Sequence, residues 1–138
     1  MTHPAAGLTD AARALFAGDV ASRSLGMELL AAGEGAAVVR MRITEQMVNG
    51  HAIAHGGYLF TLADTAFGCA CNSHGPLTVA AGADITFVAS ARLGDDLVAT
   101  ATERTRYGRN GVYDVTVRRG RDIIAEFRGR SRVIEPHH

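Results

Sequence analysis

Between Glu45 and Asp84 the chain carries one acidic residue, Asp64, in the stretch Leu59-Phe60-Thr61-Leu62-Ala63-Asp64-Thr65-Ala66-Phe67. Desolvation among Phe, Leu and Ala disfavours the charged carboxylate, and function is a common reason for retaining such a group at a cost. The chemistry it suits is general-base or nucleophilic attack on an acyl group. Just upstream stand Asn49, His55, Gly56 and Gly57. Backbone amides at a helix N-terminus have no intrahelical acceptor and sit at the positive end of the dipole. The Gly56-Gly57 pair could therefore hold a carbonyl oxygen of an ester or thioester as negative charge develops. The plainer readings of these residues are a tight turn at the glycines and a solvated helix face at Asp64.

Other constellations carry less. His51 and His55 with Asp64 offer three ligands to zinc in principle. The His-x-x-x-His spacing needs a helix to align both rings, however, and the flanks here are Gly-rich and lack the Glu of the metalloprotease motif. A structural or substrate-positioning role for His55 fits better. No Gly-x-Ser-x-Gly is present, and the serines, Ser22 among them, have no obvious partner in the sequence. Cys71 near His74 lies toward a helix C-terminus, where the dipole has the wrong sign to create a thiolate. Arg128, Arg130 and Arg132 alternate on one face of the final strand; that row is either a solvated sheet face or, with Arg106 and Arg109, a set of partners for phosphates.

The elements that must position these groups follow from periodicity. Leu59, Leu62, Ala63, Ala66, Phe67 and Ala70 form one apolar helical stripe. At about 100° per residue, Asp64 lies roughly 120° from the axis of that stripe, on a flank shared with Phe60, Phe67 and Cys71. Its polar companions Tyr58, Thr61 and Thr65 are uncharged, so the helix is expected to be buried on nearly every side. It should open at Gly56-Gly57 and end near Asn72, before Ser73-His74-Gly75-Pro76. A short helix over Thr9 to Ala17 is expected first, then two strands within Gly26 to Ile43 broken at Gly33-Glu34-Gly35, and a loop from Thr44 to Ala54. Four strands follow, over Leu77 to Ala89, Asp96 to Tyr107, Gly111 to Arg119 and Asp122 to Ile134. This pattern predicts an α+β fold, a six-stranded antiparallel sheet curled around one long helix. One sheet cannot cover such a helix on every side, and an open sheet leaves unpaired edges, so a homodimer or a larger symmetric assembly is expected.

Residues 1–138 are the length of one domain. Hydrophobic content of 47% and charged content of 20% exclude a disordered or fibrous chain. No apolar run is long enough for a bilayer span. Met1 to Asp10 do not read as a secretory signal, and Cys69 and Cys71 diverge from one helix and cannot close a disulfide. A cytoplasmic location is therefore expected. All fourteen basic residues are Arg, balanced to zero net charge with no concentrated basic run, which argues against nucleic acid as a partner.

Asn49 through Gly68, in particular Asn49 followed by His55-Gly56-Gly57 and then Ala63-Asp64-Thr65-Ala66, strongly resembles the hotdog-fold acyl-CoA thioesterases of the phenylacetate-degradation pathway. Ala70-Cys71-Asn72-Ser73, Gly111-Val112-Tyr113-Asp114 and Phe127-Arg128-Gly129 echo the same family, so the resemblance spans most of the chain. It implies that Asp64 is the catalytic carboxylate, that Gly56 donates its amide to the thioester oxygen, that Asn49 helps position water and that His55 supports them. It also implies sites at a subunit interface in a dimer or dimer of dimers, with Gly57 and Thr65 beside the acyl group. Phe60 and Phe67 suit an aromatic or medium-length acyl chain, with phenylacetyl-CoA or a ring-hydroxylated form as the implied substrate. Arg106, Arg109 and Arg128 are expected to meet the phosphates of coenzyme A. No metal or organic cofactor is called for, since coenzyme A enters as part of the substrate. Two other readings stay open: an enoyl-thioester hydratase or dehydratase on the same fold, and a non-catalytic acyl-CoA-binding module.

Overall fold

A computed structural model describes residues 8–134. Most of the Met1 to Asp10 segment and the terminal His137-His138 lie outside the described residues. Helix α1 (Asp10–Ala17) starts where the Thr9 hydroxyl accepts from the Ala12 amide at 3.3 Å, and it stops at Gly18. Helix α2 (Val20–Ser24) is absent from the sequence expectation: its five residues are too few for periodicity to register, and it is made by its cap, Asp19, which accepts from the Ser22 amide at 2.9 Å.

Strands β1 (Glu28–Gly33) and β2 (Ala36–Arg42) form the expected hairpin. Glu34 and Gly35 both take positive φ at its tip, the geometry that suits a tight turn to the strand twist. Within the anticipated Thr44 to Ala54 loop lies one 3-10 turn, Glu45–Met47. Helix α3 (Gly56–Asn72) begins and ends where the sequence places it. Strands β3 (Thr78–Phe87), β4 (Asp96–Tyr107), β5 (Asn110–Arg119) and β6 (Asp122–Val133) complete a six-stranded antiparallel sheet in the order β1-β2-β4-β5-β6-β3.

The sheet wraps α3, which packs on β2, β4, β5, β3 and β6. Leu59, Leu62, Ala63, Ala66, Phe67 and Ala70, the predicted stripe, are all buried, against Val39, Met41, Tyr113, Val115 and Phe127. The Phe67 ring lies over Gly129, where a Cβ would come within 2.8 Å of three ring atoms, so glycine on β6 lets the helix sit this close. At the helix C-terminus the Asn72 carboxamide donates to the Thr78 carbonyl and accepts from the Thr78 amide, both at 2.9 Å, tying α3 to the start of β3. One line of α3 is left uncovered: Gly57 is exposed and Thr61, Asp64 and Gly68 are half-buried. These residues follow the i, i+4, i+7, i+11 spacing of a single helix face. The β3 edge beside it carries exposed Val79 and Phe87, with exposed Val88 just beyond its end.

Candidate active site

Asp64 sits midway along α3 and faces a cavity of about 380 Å³ whose lining includes Leu15, Asp19, Thr65, Cys69 and Val79. The expected flank is thus present, and Leu15 of α1 with Gly18 and Asp19 of the connection to α2 completes its lining. Burial pushes the Asp64 carboxyl above the ordinary carboxylate range, and the negative charge of Asp19 adds to it. The Ser22 hydroxyl donates to Asp19 Oδ2 at 2.6 Å and lies 2.7 Å from Thr65 Oγ1. The expectation that Ser22 has no partner is therefore corrected. Its partners come from an N-cap three residues away and from a helix 43 residues later, and no sequence spacing announces the second. Burial raises the thiols of Cys69 and Cys71 to about 12, so both are neutral at physiological pH.

A second cluster surrounds the N-terminus of α3. The Asn49 carboxamide oxygen accepts from the His51 and Ile53 amides at 2.8 and 3.1 Å, and the Asn49 amide donates to the Ile53 carbonyl at 2.9 Å. This turn, with Ala52 at φ 60°, delivers the chain to α3; the His55 amide donates to the Met47 carbonyl at 2.9 Å and leaves the ring exposed. Gly56 and Gly57 then occupy the first two helical positions, where an amide has no intrahelical acceptor. Gly56 has a packing reason to be glycine, since a Cβ there would lie 2.6 Å from Phe87 Cζ. Gly57 faces open space.

Asn49, His55 and Gly56 thus lie in the segment that leads into α3, and Asp64 and Thr65 lie midway along that helix. Eight residues of helix at 1.5 Å rise separate Gly56 from Asp64, roughly 12 Å, too far for one chain to place both on a single carbonyl group. Phe60 and Phe67 both pack on Phe127, with ring centroids 5.3 and 5.8 Å apart, and Phe67 is a core residue whose surface barely reaches the cavity.

The arginines separate as well. Arg106 and Arg109 line a cavity of about 360 Å³ near the C-terminal end of α3, with His74, Asn110 and Tyr113. Arg128 lies over a different, acid-lined cavity with Asp84, Asp114 and Glu126, and its guanidinium donates to both Asp114 oxygens at 2.7 and 2.9 Å. The register explains this separation: Arg128 is directly opposite Asp114 on β5. Among the described residues there is no cluster of three or more His, Cys, Asp or Glu side chains able to hold a metal ion, and no helix is long and apolar enough to cross a membrane.

A single helix wrapped by a six-stranded antiparallel sheet, bearing a half-buried carboxylate and a glycine-opened N-terminus, has the architecture of thioester-processing hotdog folds. The family model for the thioesterase superfamily matches residues 51–125. The acyl-coenzyme A thioesterase PaaI of Escherichia coli K12 is 45% identical over 121 residues, 87% of this chain and 86% of that protein. The solved structure of the E. coli PaaI protein from the phenylacetic acid degradation operon matches with a TM-score of 0.87 at 43% identity, covering 90% of this chain and 91% of that one. A structure from Streptococcus mutans bound to acetyl-CoA matches with a TM-score of 0.76 at 26% identity, covering 81% and 91%. The chain belongs to the thioesterase superfamily; it has the hotdog fold, and its enzyme class is the acyl-CoA thioesterases.

Proposed function

We propose that this enzyme hydrolyses arylacetyl-CoA thioesters, phenylacetyl-CoA or a ring-hydroxylated form first among them, in a homodimer that pairs Asp64 of one copy with the Gly56 terminus of another. The observation that carries this reading is the position of Asp64: a half-buried carboxylate of raised proton affinity, facing an apolar-walled cavity. It lies on the same uncovered helix line as Gly57 and too far from its own Gly56 to share a substrate with it. Two antiparallel copies of α3 laid along that line would bring each Asp64 toward the other copy's helix N-terminus. The exposed apolar side chains of the β3 edge would be covered in the same step. The pathway and bound ligand of the relatives, phenylacetic acid degradation and acetyl-CoA, support the substrate class.

In the mechanism that follows, Asp64 takes a proton from water as its oxygen attacks the thioester carbonyl carbon. The Gly56 amide then donates to the resulting oxyanion, a contact typically worth about 2.7–4 kcal/mol of barrier. Collapse breaks the C–S bond and releases the free acid, and the departing thiolate recovers the proton. Attack by Asp64 itself, through a mixed anhydride, uses the same carboxylate. Asn49 has committed its oxygen to backbone amides, so only its Nδ2 is left to orient water. No cofactor enters the scheme.

The test is free-thiol release from phenylacetyl-, hydroxyphenylacetyl-, benzoyl- and straight-chain acyl-CoAs. Fastest release from the arylacetyl members supports the proposal. Binding without thiol release points to an acyl-CoA-binding module, and hydration of crotonyl-CoA without release points to a hydratase; either result overturns it.

A further inference from the structure

We propose that Asp19 and Ser22, on the turn into α2, are positioning residues for the α3 site. Asp19 sets the charge environment of Asp64, and Ser22 fixes the direction of the Thr65 hydroxyl. The inference rests on the reading of Asp64 given above.

The geometry is a dry relay. Asp19 caps α2 with one carboxylate oxygen, and its second oxygen accepts from the Ser22 hydroxyl. A carboxylate only accepts, so the single Ser22 proton is spent on Asp19, and the 2.7 Å contact with Thr65 requires Thr65 to donate to Ser22. Ser22 is 2% and Thr65 8% exposed, so water does not compete for these bonds. The Thr65 oxygen is thereby left as an acceptor. A water in the cavity shared by Asp64 and Thr65 would give one proton to each of them, which fixes the lone pair it uses for attack.

The electrostatics point the same way. The titratable groups lining this cavity are Asp19, Asp64, Cys69 and Cys71; both thiols are neutral, and β3 contributes only Thr78, Val79 and Ala80. Among the described lining residues no basic side chain offsets the two carboxylates. Asp19 is the one charged group that moves Asp64, and it acts in the same direction as burial. In the proposed assembly the histidines of the facing Asn49 to Gly56 segment also reach this side. They are unchanged in every variant below.

A purely structural Asp19 would be an N-cap and nothing more. Asn and Ser cap helices as well as Asp does, so Asp19→Asn and Asp19→Ser keep the cap and remove the charge. The experiment is the pH profile of kcat/KM for thiol release by the full chain, with Asp64→Asn and Ser22→Ala alongside. Removing a neighbouring negative charge eases ionisation of Asp64, so the acid limb in both Asp19 variants moves to lower pH. Ser22→Ala removes no charge; it leaves the limb in place and lowers kcat more than it raises KM. An unmoved acid limb in the Asp19 variants, with Asp64→Asn inactive, overturns the role of Asp19 alone. Full turnover in Asp64→Asn overturns the reading of Asp64 and this inference with it.

Discussion

The Ser22 hydroxyl lies 2.7 Å from the Thr65 hydroxyl, a contact between residues 43 apart that ties the short second helix to the middle of the central one. It makes the N-terminal segment part of the wall beside Asp64 rather than a peripheral appendage. Burial beside that wall accounts for the raised proton affinity of Asp64.

Asp64→Asn should lower turnover by a hundredfold or more, the lower end of the 10²–10⁴ expected of a general base. It should also stabilise the protein above neutrality. A carboxyl whose proton affinity is raised by folding favours the native state at low pH, and that contribution is lost as pH rises through the folded value. The neutral amide carries no such penalty. Urea denaturation at pH 8 should therefore give a higher midpoint for the inactive variant; a lower one would mean that Asp64 is a structural anchor.

Glu103 has the opposite sign. Partial burial pushes its carboxyl up, but hydrogen bonds from His74 and Tyr113 and the charge of Arg106 outweigh this and hold it below the ordinary range. Its stabilising contribution is present above the unfolded-state value and disappears as pH falls through the folded one. Glu103→Gln should flatten the acid side of a stability–pH curve measured below about pH 5. Equal slopes for the two proteins would remove Glu103 from the acid response.

Gly129→Ala would drive a methyl group into the Phe67 ring at 2.8 Å in a packed core. Overpacking of this kind costs about 1–3 kcal/mol, read as a lower denaturation midpoint with an unchanged m-value. Adding Phe67→Leu should recover part of the loss, because the clash is with the ring itself.

Arg106→Ala and Arg109→Ala should raise KM for acyl-CoA more than they lower kcat, with the native contact weakening as salt increases. Arg128→Ala should leave KM where it is. Its guanidinium already engages Asp114 at an exposed position, where solvent screens the pair. A KM increase only in the Arg128 variant would reverse this division of the arginines.

Sedimentation velocity at micromolar concentration should show a dimer or larger. Replacing Gly68, on the uncovered line of α3, by Arg should shift it toward monomer and abolish thiol release together. Monomers with full turnover would show that one chain carries the whole site.

The central helix, its bounds at Gly56 and Asn72, its buried stripe and the six antiparallel strands are all legible in the amino-acid pattern, which also singles out Asp64 as the catalytic candidate. Each of these is local: the apolar period, the turn glycines and a lone carboxylate in an apolar run are read within a few residues of one another. Contacts between residues distant in the chain arise only in the folded molecule. The tertiary structure set Asp19 and Ser22 against Thr65 and clamped Asn72 to Thr78. It gave Arg128 to Asp114 while leaving Arg106 and Arg109 at another cavity, and it held Gly56 and Asp64 apart on one helix. Those outcomes depend on strand register, on a five-residue helix held by a single cap, and on the rigid rise of the helix. None of them has a sequence period, because the partners meet only when the sheet closes around α3.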